Sequence, residues 1–264
     1  MTATVSLATT PADARAVDAV QEHHAELLGA LSTHVERLLT AVRRHDEAAW
    51  EAPRDALTHW CEHELVPHAV AEEAALYPAA AGLGPGRLLI AAMTAEHTTI
   101  RRLVSELAAA DEPVGAAATG VALRVVFESH MTTENEQILP LLAGDPATSL
   151  ADLLEGMHDA LGEAAFEGGH VEPQEAHSGH VCACHEADEE LPELDARLVP
   201  HAIRHATIFG ALDAVRPGHG LVLVAPHDPL PLLAQVEERD PGAFAVDYLE
   251  RGPEAWRLHF QRSA

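Results

Sequence analysis

Apolar residues recur every three or four positions from residue 10 to about residue 161, in a stretch dominated by Ala, Leu, Glu and Arg. That period lines them up along one face of an α-helix, and no strand-like alternation interrupts it. Thr10 reads as the N-cap of a first helix, with Pro11 at its first position and Asp13 in its first turn, running to about residue 48. A second helix is predicted over about 53–81. The turn from Gly82 to Gly86 leads into a third that ends near 110, and Asp111-Glu112-Pro113 opens a fourth that ends near 143. Short connections between long amphipathic helices predict an all-α, up-down four-helix bundle, extended by a fifth helical pattern over about 148–161.

The pattern then changes. Residues 162–190 have no apolar periodicity and are rich in Gly, His, Glu, Ser and Cys, the composition of a linker. From 191 to 264 it becomes mixed: an extended run at 194–198, a helix at 201–215, an apolar strand at 221–224, a helix at 229–238, and strands at 244–249 and 255–260. The chain is therefore predicted to be multidomain: a bundle over 10–161, a linker over 162–190, and a small two-layer α+β domain over 191–264.

Each bundle helix carries polar residues on its apolar stripe. On the second the stripe runs Leu57, Cys61, Leu65, His68, Glu72, Leu76, and on the fourth it runs Leu123, Phe127, His130, Glu134, Ile138. Both contain His-x-x-x-Glu, which places imidazole and carboxylate one turn apart on the inward face. The third helix adds His97 between Met93 and Ile100, and the first adds His24 between Val20 and Leu27. The neighbouring His23 competes with His24, but the residue three beyond His23 is Glu26, which prefers water, so His24 is the inward one. Four imidazoles and two carboxylates in an apolar interior are costly unless compensated. A metal centre compensates them. Nitrogen and oxygen donors suit iron, with manganese as the alternative, and the absence of inward thiolates argues against structural zinc. Two metals bridged by Glu72 and Glu134 would use every ligand.

Charge and composition narrow the setting. With 42 acidic residues against 16 basic ones the formal charge is -26, which disfavours nucleic acid and anionic membranes as partners. All the basic residues are arginines, and the 19 histidines outnumber them. No apolar run is long enough to span a bilayer and the first residues lack a leader pattern, so a cytoplasmic protein is expected. Three cysteines, Cys61, Cys182 and Cys184, are too few for a disulfide scaffold.

The set His24, His68-x-x-x-Glu72, His97 and His130-x-x-x-Glu134 resembles the hemerythrin-like (HHE cation-binding) domains. The flanking runs LVPHAVAEEAALYP at 65–78 and HMTTENEQILP at 130–140 carry the likeness, which covers about 13–145. The resemblance implies a non-haem di-iron centre, with two iron ions bridged by both carboxylates and an oxo or hydroxo group. It assigns His24 and His68 to one iron and His97 and His130 to the other. Ferritin-like di-iron proteins differ in using Glu-x-x-His pairs. Oxygen-carrying hemerythrins place a second histidine one turn from the first on the third helix, where this chain has Met93 and Arg101. One imidazole fewer leaves a position open to oxygen, peroxide or nitric oxide and puts reversible oxygen carriage in doubt. The expected function is a di-iron protein that binds, senses or reacts with such a molecule. The alternatives are a di-iron enzyme (peroxidase-like, nitric-oxide-consuming, or repairing iron-sulfur clusters) and a metal-stabilised interaction module.

Other features are read more plainly. Tyr77, one turn beyond Glu72, is taken as a packed boundary residue, with a donor role near the metal as the alternative. Pro67 is expected to kink the second helix. Cys61 is core filler, and His34, His45, His59 and His63 are surface or boundary residues. The run HSGHVCACH at 177–185 offers soft ligands on a Cys-x-Cys spacing, but a solvated linker is the simpler reading. The tail's runs HAIRHATIF, LVLVAPHDP and RGPEAW resemble a small domain of unknown function often joined to such bundles, itself similar to sulfur-carrier-like α/β folds. It has no cysteine, which excludes persulfide relay, and it is the expected surface for a protein partner. Asp228 is read as the N-cap of a helix beginning at Pro229, and His201, Arg204, His205 and His227 as a candidate site.

Overall fold

The computed structural model describes residues 8–44, 49–157, 191–199 and 204–263. Four helical rods form the N-terminal bundle. The first is α1 (Pro11–Arg43). The second is α2 (Glu51–Trp60) continued through Cys61–Leu65 into α3 (Val66–Gly82). The third is α4 (Gly86–Ala108), and the fourth is α5 (Pro113–Thr133) continued through Glu134–Ile138 into α6 (Leu139–Ala143). A further helix, α7, covers 150–157. Thr10 caps α1 by accepting from the Asp13 backbone N–H at 3.1 Å. Asp13 in turn accepts from the Ala151 N–H at 3.2 Å, so one acidic residue closes the start of α1 and pins α7 against it.

Where the sequence suggests a kink at Pro67, the rod instead widens. Cys61–Leu65 is a π-helical turn, closed by the Val66 N–H bonding to the Cys61 carbonyl. Glu134–Ile138 is a second one, closed from Leu139 to Glu134, and Pro140 follows it as Pro67 follows the first. Proline cannot donate, and its ring crowds the carbonyl four residues back, so a wider preceding turn absorbs it without breaking the rod. Both rods with a His-x-x-x-Glu pair thus carry the same irregularity beside it. The first rod ends at Arg43, short of the expected 48, and the second begins at Glu51 rather than 53; residues 45–48, His45 among them, lie outside the described ones.

Two apolar clusters flank the polar layer. One gathers Leu31, Val35, Leu38, Leu57, Leu65, Leu107, Leu123 and Phe127, and the other Val20, Leu76, Tyr77, Met93, Ile138 and Leu150. Cys61 belongs to the first, and burial pushes its thiol up to about 12, which makes it an inert core residue. His34, read from the sequence as a surface or boundary residue, is buried and stacks on Trp60. His59 and His63 are exposed. No described helix is long and apolar enough to cross a membrane.

The C-terminal domain is a four-stranded sheet in the order β1-β2-β4-β3 with two helices. Its elements are β1 (Glu193–Asp195), α8 (Arg204–Asp213), β2 (Gly220–Ala225), α9 (Leu230–Arg239), β3 (Phe244–Arg251) and β4 (Trp256–Arg262). β1 pairs with β2 in parallel, while β4 pairs antiparallel to both β2 and β3. The unbroken apolar run of β2 fits a central strand buried on both faces. Leu221 and Leu223 face α8 and α9 together with Leu258 and Phe260. Asp228 does not cap a helix, because α9 begins two residues later at Leu230; its carboxylate accepts from the Tyr248 hydroxyl at 2.8 Å and ties that loop to β3.

The two domains meet along α1 and α8. Thr33 Oγ1 donates to the Ala211 carbonyl at 3.3 Å, and Arg37 Nη1 to the Ala214 carbonyl at 2.8 Å. Gly29 and Gly210 let the backbones approach: a Cβ on Gly210 would stand 2.5 Å from the Glu26 carbonyl carbon, and one on Gly29 2.8 Å from the Ala211 nitrogen. The predicted linker over 162–190, with its HSGHVCACH run, and His201 lie outside the described residues.

Candidate metal centre

Each rod delivers its inward polar residue to one layer. His24 of α1, His68 and Glu72 of α3, His97 of α4, and His130 and Glu134 where α5 meets the π-helical turn of the fourth rod are all at most 3 % exposed. His68 Nε2 lies 2.9 Å and His24 Nε2 3.3 Å from Glu72 Oε1, and His97 Nε2 is 3.3 Å from Glu72 Oε2. Glu134 lies opposite, its Oε2 3.7 Å from His24 Nε2 and its Oε1 3.9 Å from His130 Nε2. Two triads with metal-ligand spacing result, His24-His68-Glu72 and Glu72-His97-His130, sharing the Glu72 carboxylate. His23 is exposed on the neighbouring flank of α1, its ring edge-on to His68 at 5.1 Å.

The outer ring nitrogens settle the tautomers. His24 Nδ1 meets Asn135 Oδ1 at 2.8 Å, His97 Nδ1 meets Glu73 Oε1 at 2.8 Å, and His130 Nδ1 meets Glu96 Oε2 at 2.9 Å. All three partners are acceptors, so each Nδ1 carries the proton and each Nε2 presents a lone pair inward. That is the arrangement by which protein carboxylates and amides orient metal-binding histidines. None of the three partners was singled out in the sequence. The available signal is adjacency: Glu73, Glu96 and Asn135 are each next in sequence to a stripe residue, on the helix flank, where a polar residue ordinarily reads as solvated.

Lone pairs therefore face lone pairs. His24 Nε2, His68 Nε2, both Glu72 oxygens and Glu134 Oε2 are buried without a hydrogen-bond partner. Unpaired buried polar atoms cost about 1–3 kcal/mol each, more when charged, and these converge on one point. A cation between them resolves the cost, and the donor set of four imidazole nitrogens and two carboxylates fits one. Without a cation the carboxyls divide. Burial, followed by the neighbouring Glu72 charge, holds Glu134 well above the usual carboxylate range. Burial also opposes ionisation of Glu72, but the imidazoles of His68, His24 and His97 crowded around it together hold it well below that range. Burial drives His130 down to about 3, with the nearby imidazoles adding to it, so it is neutral and ready to ligate.

Tyr77 is not a boundary residue. It is 3 % exposed, stacks on His97, and donates from its hydroxyl to Glu134 Oε1 at 2.6 Å. Burial and the Glu134 and Glu72 charges raise its pKa far above the ordinary phenol value, so it keeps its proton. Met93 is buried among apolar residues, and Arg101 reaches Glu73 Oε1 at 3.0 Å, so neither position brings a further imidazole. A cavity of about 460 Å³ opens where α1, α5 and β1 meet; His24, Met131 and Asn135 line it from the bundle and Leu194 and Val199 from the second domain. In that domain Arg204, His205 and His227 border a separate pocket of about 110 Å³.

Comparison with known families agrees with this geometry. The family model of the hemerythrin HHE cation binding domain matches residues 15–142 and again 89–202, and that of an uncharacterized conserved protein (DUF2249) matches 193–262. No curated protein and no solved structure matches the chain. A bundle whose inward histidines and glutamates form two cation-sized triads fits the first match, and the chain belongs to the hemerythrin HHE cation-binding family, with a DUF2249 domain after the bundle.

Proposed function

We propose that the bundle holds two iron ions, one served by His24 and His68 and the other by His97 and His130, with Glu72 and Glu134 shared, and that this centre binds or reacts with oxygen, peroxide or nitric oxide. One observation carries the reading: three imidazoles have their protons fixed outward by Asn135, Glu73 and Glu96, so that unpaired nitrogens and carboxylate oxygens face one another across the bundle interior. Two imidazoles and two shared carboxylates leave each ion short of six donors, which is room for a small ligand. Bound iron supplies Lewis acidity and electrons.

The chain's own residues do the rest. Tyr77 Oη holds a proton 2.6 Å from Glu134 Oε1 and 3.3 Å from His97 Nε2, placing a donor beside any ligand at the His97 and His130 end. Met93, Ile138 and Leu76 exclude water from that end. At the other end the cavity beside His24 gives a small neutral molecule an approach between the two domains. Exposed Leu230 and Leu249 give the second domain a surface for a protein partner.

Metal analysis of anaerobically purified full-length protein, with its absorption spectrum before and after air, tests this. Two irons per chain, lost in Glu72→Ala, with visible bands that change on adding oxygen or nitric oxide, is the expected result. Stoichiometric zinc, or no metal after iron reconstitution, refutes it. The Tyr77 proton also supports a second reading, catalytic turnover, which requires consumption of peroxide or nitric oxide that Glu134→Ala abolishes.

A further inference from the structure

Another cavity, of about 290 Å³, lies at the seam between the domains, away from the layer of inward histidines and glutamates. Its polar lining comes from His34 and Arg37 of α1, from Arg44 just beyond that helix, and from the turn before β2 (Arg216, His219), over an apolar floor that includes Ala41, Pro53 and Leu191. Among the described residues no aspartate or glutamate lines it, in a chain with 42 acidic residues against 16 arginines. Setting Arg37 and Arg216 close together with no acid among the described lining residues runs against that excess and stores repulsion unless an anion joins them.

The bonding around the arginines points the same way. Arg37 spends Nη1 on the Ala214 carbonyl, while its Nη2 is buried with no hydrogen-bond partner. Among the described residues no carboxylate pairs with Arg37 or Arg216. Burial, followed by the Arg216 charge, pulls Arg37 down to about 10. Burial, then Arg37 and Arg216, pulls His34 down to about 4, so His34 is neutral and can donate or accept. Arg124 and Arg101, by contrast, end on acids, Glu36 and Glu73.

We propose that this cavity is a binding site for a small oxyanion, the phosphate or carboxylate group of a metabolite, held by Arg37 Nη2 and the Arg216 guanidinium. Guanidinium groups match such oxygens in bidentate geometry, and the volume sits at the lower end of the roughly 300–1,000 Å³ of small-molecule pockets. Because one arginine comes from the bundle and the other from the C-terminal domain, the anion bridges them. Occupancy strengthens the docking of the second domain on α1, the helix that carries His24.

The test is calorimetric titration of the full chain with inorganic phosphate and, separately, citrate, at ionic strength held constant with chloride, alongside thermal melts. The expected result is saturable binding of at least one of them at one site per chain and a rise in melting temperature with that anion. Affinity should fall roughly tenfold or more in Arg216→Gln and in Arg37→Gln, the size expected for losing a charged hydrogen bond. Arg102→Gln, an exposed charge remote from the cavity, should bind as wild type does. Arg216 is exposed, so its variant folds even if Arg37→Gln does not, and without an added anion it should melt no lower than wild type, because it relieves repulsion. No saturable binding of either anion, or equal binding by wild type and Arg216→Gln, overturns the proposal. So does an Arg216→Gln variant as destabilised without the anion as with it, which would make the arginines struts of the interface.

Discussion

Placing a methyl group at Gly210 tests how the two domains are joined. The Cβ would run into the Glu26 carbonyl oxygen and stand 2.5 Å from both the carbonyl carbon and the Cα of Glu26, against about 3.4 Å for ordinary contact, so α1 and α8 must part by more than about 1 Å. Backbone opposes backbone, and no rotamer change relieves the clash. Overpacking of this kind costs about 1–3 kcal/mol, and the rigid neighbours put Gly210→Ala at the upper end. Parting the helices also stretches the Thr33 and Arg37 bonds to Ala211 and Ala214. If bundle and tail unfold together, about 3 kcal/mol lowers the melting temperature by about 6–12 °C for a chain of this size. Circular dichroism melts of Gly210→Ala and of Gly156→Ala, where nothing lies within 4 Å of the added methyl, make the comparison. Gly156→Ala should be neutral or slightly stabilising, since alanine is the better helix former. A Gly210→Ala variant that melts within about 1 °C of wild type would refute the glycine-to-backbone docking of α8 on α1.

Three further outcomes follow from the site and its surroundings. His24→Ala should lose metal while His23→Ala keeps it, because only His24 is buried with its Nε2 turned inward, and elemental analysis of both variants decides between them. Tyr77→Phe should leave metal content near wild type but weaken any ligand that needs a donor beside His97; a ligand titration indistinguishable from wild type would remove that role from Tyr77. His34 adds an acid-side dependence of stability: it titrates near 6.5 in the unfolded chain and is depressed to about 4 in the folded one. The stability it protects is complete above pH 6.5 and is lost as pH falls towards 4, up to about 3 kcal/mol, as the unfolded chain takes up a proton that the buried ring refuses. Urea midpoints of wild type and His34→Phe measured across that window should diverge, and parallel curves would contradict the buried neutral state.

Local periodicity made the helical bundle and the six inward polar positions legible. A 3.6-residue repeat states which face of a helix is buried, so His24, His68, Glu72, His97, His130 and Glu134 stand out as polar residues on faces that are otherwise Leu, Val, Ile and Phe. The change of pattern beyond residue 190 likewise announced a different kind of domain, and the apolar run at 221–224 a strand, which the structure shows to be buried along its whole length. What periodicity cannot state is which buried face meets which. Glu73, Glu96 and Asn135 lie on flanks that read as solvated, and only the packing of α3, α4 and the fourth rod turns each towards an imidazole of a neighbouring helix. Tyr77 looked like a boundary residue because its partner, Glu134, is 57 positions away. Asp228 looked like a helix cap because local rules cannot see Tyr248 across the sheet edge. The seam between the domains depends most on tertiary structure. Thr33 and Ala211 are 178 positions apart, and neither the glycines that let α1 and α8 touch nor the pairing of Arg37 with Arg216 leaves a local signature. Their effect comes from proximity, which the fold alone supplies.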